Sequence, residues 1–319
     1  MRLIFMGTPE FSVPYLERLV ELGDQVVAVY TRPDRPSGRG RGLTPSPVKQ
    51  AALAKGLPVY QPEGLRRDES FHELAALRPD LIFVVAYGIL LPQRVLDLPS
   101  RGCLNVHPSL LPRHRGPSPI AGAILSGDTE TGVTIMLIDA GMDSGPILSQ
   151  ESLAIQPDDT TASLSNKLRD LGVGLMEKTI PLWLKDELTP RPQDEPLATV
   201  SRLARKEDGE MDWNLPAEEL WRRVRAYYPW PGAYTQWKGR GLKIIEAMSI
   251  HGDRRGDPGR VLGYADYGDA PGQKVVVQTG NGLLELRTVQ LEGGRAMAAQ
   301  EFTRGHRDFL GSLLPSYLQ

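Results

Sequence analysis

The feature that most limits the possible folds is an alternation of short apolar runs with helical patterns through the first part of the chain. Apolar runs typical of strands occupy residues 3–6, 25–30, 80–86, 102–106 and 132–138. Patterns typical of helices occupy residues 14–22, 47–55, 71–77 and 161–184. Strands separated by helices predict an α/β fold, a doubly wound parallel sheet with right-handed crossovers.

The second part of the chain shows a different pattern. Residues 184–200 are rich in proline and charge, which is typical of a linker. After a predicted helix at residues 216–227, short strand-like runs follow, and Asn281-Gly282 is a hairpin turn signal between two of them. These runs predict a small antiparallel barrel or sandwich. We therefore expect three segments: a catalytic domain over residues 1–186, a linker over 187–204 and a second domain over 205–319.

Composition narrows the possible functions. With 37 Lys and Arg against 39 Asp and Glu, a protein that coats nucleic acid along its whole surface is not expected, although a local basic groove is compatible. The single cysteine, Cys103, forms no intrachain disulfide and favours a reducing cytosol. The longest apolar run lies between Pro79 and Pro92 and is too short to span a bilayer. We expect a cytoplasmic protein that does not enter membranes.

Several familiar site motifs are absent from the sequence. It contains no GxxxxGK[ST] phosphate loop and no GxSxG elbow, and the GTPEFS stretch lacks the later glycines of a dinucleotide fingerprint. The five histidines show no HExxH spacing and have one cysteine to join them. Neither a nucleotide-hydrolysing site nor a metal site is expected.

Three polar residues instead predict acyl-transfer chemistry. Asn105 and His107 lie two positions apart at the end of a predicted strand, so their side chains share one side of the sheet. Asp143 follows the next predicted strand in a glycine-rich loop. When an amine attacks a carbonyl carbon, Asn105 can donate to the developing oxyanion, and His107 and Asp143 can manage the proton. The pattern leaves open which of the two takes it. His114 nearby is interpreted as a polar loop residue.

The stretch TRPDRPSGRGRGLTPSP (residues 31–47) carries four arginines against one acid, Asp34. Glycine and proline are so frequent there that neither helix nor strand is predicted. The stretch follows the second strand, so we expect it near the sheet edge that carries Asn105 and His107. Its arginines suit phosphate contacts.

Longer motifs give the sequence a recognisable relationship. The stretches FMGTPEFSVPYLERL, PDRPSGRGRGLTPSPVK, FVVAYGILLP, NVHPSLLPRHRGPSPI and GVTIMLIDAGMDSGPIL, with MDWNLPAEEL and RAYYPWPGAY further on, resemble the 10-formyltetrahydrofolate-dependent formyltransferases, and among them those that act on methionyl-tRNA. The resemblance implies formyl transfer from 10-formyltetrahydrofolate to the α-amino group of methionine on initiator tRNA, without a metal. It also implies a Rossmann-like first domain, a C-terminal OB-like β-barrel that binds tRNA, and catalytic roles for Asn105, His107 and Asp143.

The resemblance also implies where the substrates bind. The folate is expected near two short segments, of which one contains Tyr87, Gly88 and Ile89 and the other contains Ser109, Leu110, Leu111 and Pro112. Arg39 is expected to enter the acceptor end of the tRNA. Further tRNA contacts are predicted for Arg35, Arg41, Arg222 and Lys243, and the protein is expected to be a monomer.

Three other functions share parts of this pattern. A formyltransferase for a small amine, such as an amino sugar or glycinamide ribonucleotide, would use the same three residues. A hydrolase that releases formate would place water where the amine attacks. A non-catalytic RNA-binding protein would need neither Asn105 nor Asp143. The arginine-rich stretch favours tRNA as the substrate, because an enzyme that acts on a small amine has no evident need for four arginines.

Overall fold

The computed structural model describes residues 1–37, 42–252, 256–263 and 274–316. The chain divides into two compact units. The first consists of Met1–Pro119, Glu130–Ala154 and Ser165–Ser201. The second consists of Ile120–Thr129, Ile155–Leu164 and the described residues from Arg202 onward.

The first unit is built from short strands and the helices between them. Its strands are β1 (Arg2–Gly7), β2 (Gln25–Tyr30), β3 (Arg35–Ser37), β4 (Gly42–Thr44), β5 (Val59–Tyr60), β6 (Leu81–Val85), β7 (Cys103–His107), β8 (Glu130–Leu137) and β9 (Ile147–Ala154). Its helices are α1 (Val13–Glu21), α2 (Pro47–Ala54), α3 (Asp68–Ala76), α4 (Gln93–Leu96) and, from Ser165 onward, α6 (Thr161–Leu184).

Seven of these strands form one sheet in the order β5-β2-β1-β6-β7-β8-β9. The first five strands in this order, β5, β2, β1, β6 and β7, are parallel, as the alternation of strands and helices predicts. The last two, β8 and β9, are antiparallel. The periodicity of a strand carries no information on its direction, and an antiparallel edge on a parallel sheet is common. The predicted parallel arrangement of residues 132–138 is therefore wrong, although the strand itself is present.

The core of the first unit explains why the central strands read as uninterrupted apolar runs. Every residue of β6 is buried, and so is β1 after Arg2. Helix α1 buries Tyr15, Leu16 and Leu19, which fall on one face at helical spacing. Burial contributes about 1.5–3 kcal/mol for each of the two leucines, and α1 contacts β2.

The arginine-rich stretch contains a short β-hairpin. Strands β3 and β4 pair antiparallel, with Arg35 opposite Thr44 and Ser37 opposite Gly42. The prediction that this stretch holds no strand is therefore wrong at Arg35–Ser37 and Gly42–Thr44. Proline is tolerated in such a pair because an isolated two-stranded ribbon leaves outward N–H positions unused. Strands of three residues are too short to show a periodic pattern.

The second unit is an antiparallel sheet with helices packed on it. Its strands are β10 (Ala233–Trp237), β11 (Arg240–Ile250), β12 (Val261–Leu262), β13 (Val275–Gln278), β14 (Leu283–Leu291) and β15 (Met297–Ala298), and its helices are α5 (Pro119–Ser126), α7 (Ala217–Ala226) and α8 (Ala299–Gly305). The strand order is β10-β11-β14-β13-β12, and β15 pairs with β14.

The interior of this sheet is apolar. Trp213 is fully buried, and α7 adds Leu220 and Val224 to the same core. Residues 279–282 join β13 to β14, and Gly282 in this loop has a positive φ of 79°, which glycine adopts readily. A smaller barrel-like unit following a Rossmann-like sheet confirms the predicted fold class. No helix within the described ranges has both the length and the apolar composition needed to cross a membrane.

Candidate active site

Asn105 and His107 lie at the carboxyl end of β7, between two neighbouring strands. Asn105 pairs with Val84 of β6 on one side and with Met136 of β8 on the other. Side chains two positions apart on a strand point to the same face, so Asn105 and His107 share one. His107 is 4% exposed whereas Asn105 is half-buried. In the described part of the chain the Asn105 amide makes no side-chain hydrogen bond, so its donors are open to a ligand.

The two nitrogens of His107 have different partners. Nε2 lies 2.9 Å from the carbonyl oxygen of His114. A carbonyl can accept but not donate, so Nε2 carries the hydrogen and the neutral ring has its lone pair on Nδ1. Nδ1 in turn lies 3.7 Å from Oδ2 of Asp143. The ring is thus oriented so that its basic nitrogen faces a carboxylate.

Asp143 reaches His107 by an unexpected route. Because β8 is antiparallel to β7, its last residue, Leu137, lies beside Leu104, and Ile138 donates to the Cys103 carbonyl at 2.8 Å. The loop after β8 therefore begins at the opposite end of β7 from His107 and turns back along the strand. The sequence correctly predicts that Asp143 lies near His107. It predicts this from the ends of parallel strands, and that reason is wrong because β8 is antiparallel to β7.

The backbone of this loop is closely fitted. A Cβ on Gly145 would lie 1.9 Å from the Leu137 carbonyl oxygen, so only glycine fits there. Asp143 has a φ of 53°, a left-handed conformation that aspartate adopts more readily than most residues. Its Oδ2 accepts a hydrogen bond from the Gly116 amide at 2.8 Å, which fixes the carboxylate.

Burial determines the charge state of the imidazole. Removal from water lowers the pKa of His107 below its ordinary value, and this effect exceeds the opposing influence of the Asp143 charge and the His114 carbonyl. The His114 ring lowers the pKa further. His107 is therefore neutral at pH 7 and can accept a proton at Nδ1.

The predicted folate segment at residues 87–89 lies at one apolar cluster of the first unit. Tyr87 belongs to it, and Ile89 and Ile138 pack against it from the side as partly buried residues. Gly88 has a φ of 79°, and the side chain of Arg32 lies beside it. Residues 87–89 and the start of the loop after β8 thus line one region of the first unit.

The other predicted folate segment is occupied by internal contacts. Ser109 is buried and its hydroxyl donates to the Arg113 carbonyl at 2.6 Å. The Leu111 amide donates to Thr134 Oγ1, and its carbonyl accepts from Gln150. Leu111 packs with Met136 and Ile147, and Leu110 and Pro112 are half-buried. Folate binding by this segment stays a prediction.

The predicted tRNA contacts occupy both units. Arg35 is exposed on β3 in the first unit, whereas Arg39 and Arg41 lie outside the described residues. In the second unit, Arg222 of α7 lies 3.5 Å from Glu218, and Lys243 is exposed on β11.

Sequence reasoning missed the residues that surround the pair. His114, interpreted as a polar loop residue, is 6% exposed and supplies the carbonyl that orients His107. Gln193 and Thr199, within the predicted linker, contact the loops that carry Asp143 and His114. A proline-rich, charged composition does not predict such contacts, because they are made with backbone groups that are distant in the sequence. Across the described ranges no three His, Cys, Asp or Glu residues are grouped as a metal site would require.

Comparison with known proteins gives this geometry a family. Residues 1–180 match the model of the formyl transferase family, and residues 204–307 match that of the formyl transferase C-terminal domain. The methionyl-tRNA formyltransferase of Roseiflexus sp. (strain RS-1) is 51% identical over 96% of this chain and 93% of its own. That of Chloroflexus aurantiacus (strain ATCC 29366 / DSM 635 / J-10-fl) is 48% identical over 97% and 98%.

A solved structure shares the fold at lower identity. HypX from Aquifex aeolicus in complex with tetrahydrofolic acid is 19% identical, with a TM-score of 0.61 over 98% of this chain. The chain spans about half of that protein, 48% of its length. Both family models and both close relatives agree, and the chain belongs to the formyl transferase family.

Proposed function

We propose that the chain transfers a formyl group from 10-formyltetrahydrofolate to the α-amino group of methionine on initiator methionyl-tRNA, the reaction that prepares this tRNA for translation initiation. The proposal rests on the arrangement of three side chains. His107 is neutral, and its basic nitrogen faces Asp143. The amide of Asn105, two positions before His107, has no side-chain hydrogen bond in the described part of the chain. Close relatives along the whole chain support the choice of substrate.

Asn105 is proposed to stabilise the tetrahedral intermediate. The amine nitrogen attacks the formyl carbon, a C–N bond forms, and the formyl oxygen becomes an oxyanion. The Asn105 amide donates to that oxygen, a contribution of about 3 kcal/mol for a fixed donor. Asn105 suits this role because no protein acceptor in the described ranges competes for its hydrogens.

His107 and Asp143 are proposed to move the proton as a pair. The attacking amine must lose a proton, and N10 of the departing tetrahydrofolate must gain one. The lone pair on His107 Nδ1 and the nearby Asp143 carboxylate form a basic site that accepts the first proton and returns it to N10 as the C–N10 bond breaks. Because the substrate amine is itself the nucleophile, no covalent enzyme intermediate is needed.

The remaining assignments follow from the same proposal. Folate is expected along residues 87–89 and 109–112, and tRNA along Arg35, Arg39, Arg41, Arg222 and Lys243. The division into residues 1–186, 187–204 and 205–319, the cytoplasmic location and the monomeric state stay predictions.

The proposal is tested with the pure protein, 10-formyltetrahydrofolate and methionylated initiator tRNA. We expect formyl-methionine on the tRNA and one tetrahydrofolate per formyl group transferred. Parallel reactions contain an amino-sugar nucleotide, glycinamide ribonucleotide or no amine at all.

The parallel reactions distinguish the alternatives. Turnover of a small amine without formylated tRNA would overturn the proposal in favour of a small-molecule formyltransferase. Formate release without any amine would indicate a hydrolase. Binding of tRNA without turnover of any substrate would indicate a non-catalytic RNA-binding protein.

A further inference from the structure

Residues 191–201, called here the 191–201 segment, are joined near both ends to other parts of the first unit. Arg191 exchanges two backbone hydrogen bonds with Ile147, at 2.8 and 2.9 Å. Near the other end, the Arg115 amide donates to the Thr199 carbonyl at 2.9 Å, and the Ser201 amide donates to the Arg115 carbonyl at 2.7 Å. The composition predicts a linker here, but the segment is paired with backbone at Ile147 and at Arg115.

Gln193 uses its whole side-chain amide in this attachment. Its Nε2 donates to the backbone carbonyls of Asp143 and Gly145, both at 2.8 Å. Its Oε1 accepts from Nε and Nη2 of Arg115, at 3.0 and 2.9 Å. A carboxamide has two donor hydrogens and two acceptor lone pairs, so all four are used.

The contacts of Gln193 join the loop of Asp143 to the loop that follows His107. Arg115 is 8% exposed and also pairs with Glu195, its Nη2 lying 2.6 Å from Oε1. It follows His114, whose carbonyl accepts from His107 Nε2.

Thr199 completes the attachment of that loop. Its Oγ1 accepts from the His114 amide at 2.8 Å, next to the carbonyl that orients His107. Gly116, whose amide holds Asp143 Oδ2, lies so close to Ser201 that a Cβ there would be 2.6 Å from the Ser201 carbonyl oxygen. Both partners of the His107 ring therefore belong to loops that the 191–201 segment contacts.

We propose that Gln193 is a positioning residue, which sets the separation between His107 Nδ1 and Asp143 Oδ2 by joining the two loops that carry the ring's partners. It touches neither the reacting atoms nor His107 itself, and acts through Asp143 and Arg115. The charged or titratable groups that face His107 are Asp143 and the His114 ring. The effect of Gln193 on turnover rests on the proposed function, but its effect on the His107–Asp143 pair does not.

No other side chain reproduces these four bonds. Glutamate keeps the length and the two bonds from Arg115 but lacks both donors to Asp143 and Gly145. Methionine keeps the length and removes all four. Asp194, the next residue, is exposed, and no side-chain hydrogen bond or ion pair involves it in the described part of the chain, so Asp194→Ala is the matched control.

The first measurement is kinetic. We expect Gln193→Met and Gln193→Glu to lower kcat between about tenfold and a hundredfold, since a displaced catalytic group costs up to that much. KM for 10-formyltetrahydrofolate should change less than about twofold, and Asp194→Ala should match the wild type. Unchanged kcat in both variants would overturn the proposal. A lower kcat in Gln193→Met alone would also overturn it. Gln193→Glu keeps the Arg115 contact, so that result would mean that the bonds to Asp143 and Gly145 do not matter.

The second measurement needs no turnover. NMR titration of the His107 ring, assigned by its absence in His107→Asn, gives its pKa in the free protein. The Asp143 charge raises that pKa, so a carboxylate that moves away in Gln193→Met should lower it. A lower kcat with an unmoved pKa and a lower Tm would mean that Gln193 is structural only. A wild type that forms no formyl-methionine would remove the proposed function, yet the titration would still decide the positioning role.

Discussion

The loops around His107 and the hairpin of β3 and β4 both carry functional predictions, but they are built in opposite ways. Around His107, burial is high and both ring nitrogens have defined partners. In the hairpin, the base is fixed where Asp34 accepts from Lys49 at 2.6 Å and from Gln61 at 2.7 Å, while Gly42–Thr44 are exposed. Bond rearrangement needs fixed geometry, whereas contact with a phosphate backbone needs accessible charge. Substitutions in the two regions should therefore fail in different ways.

The sharpest test of this contrast is His107→Ala. If His107 acts as the proposed general base, its loss should lower kcat by about 10²–10⁴-fold. Equilibrium binding of initiator tRNA, measured with the unformylated substrate, should stay within about twofold because phosphate contacts dominate affinity for nucleic acid. An equal loss of binding and turnover would contradict the separation of the two regions.

Asn105→Ala should have the next largest effect. Because the substitution removes the proposed donor to the oxyanion, kcat should fall about 10²–10³-fold, while KM for the formyl donor changes little. Steady-state kinetics with varied 10-formyltetrahydrofolate measure both. If KM rose and kcat stayed constant, Asn105 would bind the folate in its ground state and not the transition state.

The pH dependence should follow His107. Its pKa is lowered by burial, so the neutral ring persists below the ordinary value of 6.5. Further acidification protonates the base, and kcat/KM should then fall about tenfold per pH unit. The unfolded chain binds this proton more readily, so stability should also decrease as the pH falls from about 6.5 through the lower folded value. Rates and chemical denaturation measured from pH 5 to 8 test both signs, and an acid limb above pH 6.5 would contradict them.

The smallest effect is expected in the hairpin region. Arg39→Ala should raise KM for tRNA several-fold and reduce the slope of log affinity against log salt by about one, as loss of one phosphate contact does. Folate affinity and kcat at saturating tRNA should be unchanged. A fall in folate affinity instead would show that this stretch serves the donor site.

These regions also differ in how far the sequence predicts them. Helix α6 and strand β2 have the predicted bounds because their apolar patterns are long and regular. The direction of β8 is not encoded in its periodicity, so the path of the Asp143 loop was not foreseen. The β3–β4 hairpin is joined by backbone pairing, which leaves no side-chain pattern. Gln193 was missed because its contacts are made with backbone carbonyls and with a distant arginine.

The 191–201 segment has one more consequence, which concerns length. Thr199 follows Gln193 by six positions. Gln193 is attached to the Asp143 loop and to Arg115, and Thr199 is attached to the amide of His114. A solvated linker tolerates insertions and deletions, since nothing fixes its end-to-end distance. Here both ends of the stretch are held by hydrogen bonds, so the number of residues between Gln193 and Thr199 must match the distance between their attachment points. An added or deleted residue between Gln193 and Thr199 would therefore change where the segment meets the two loops.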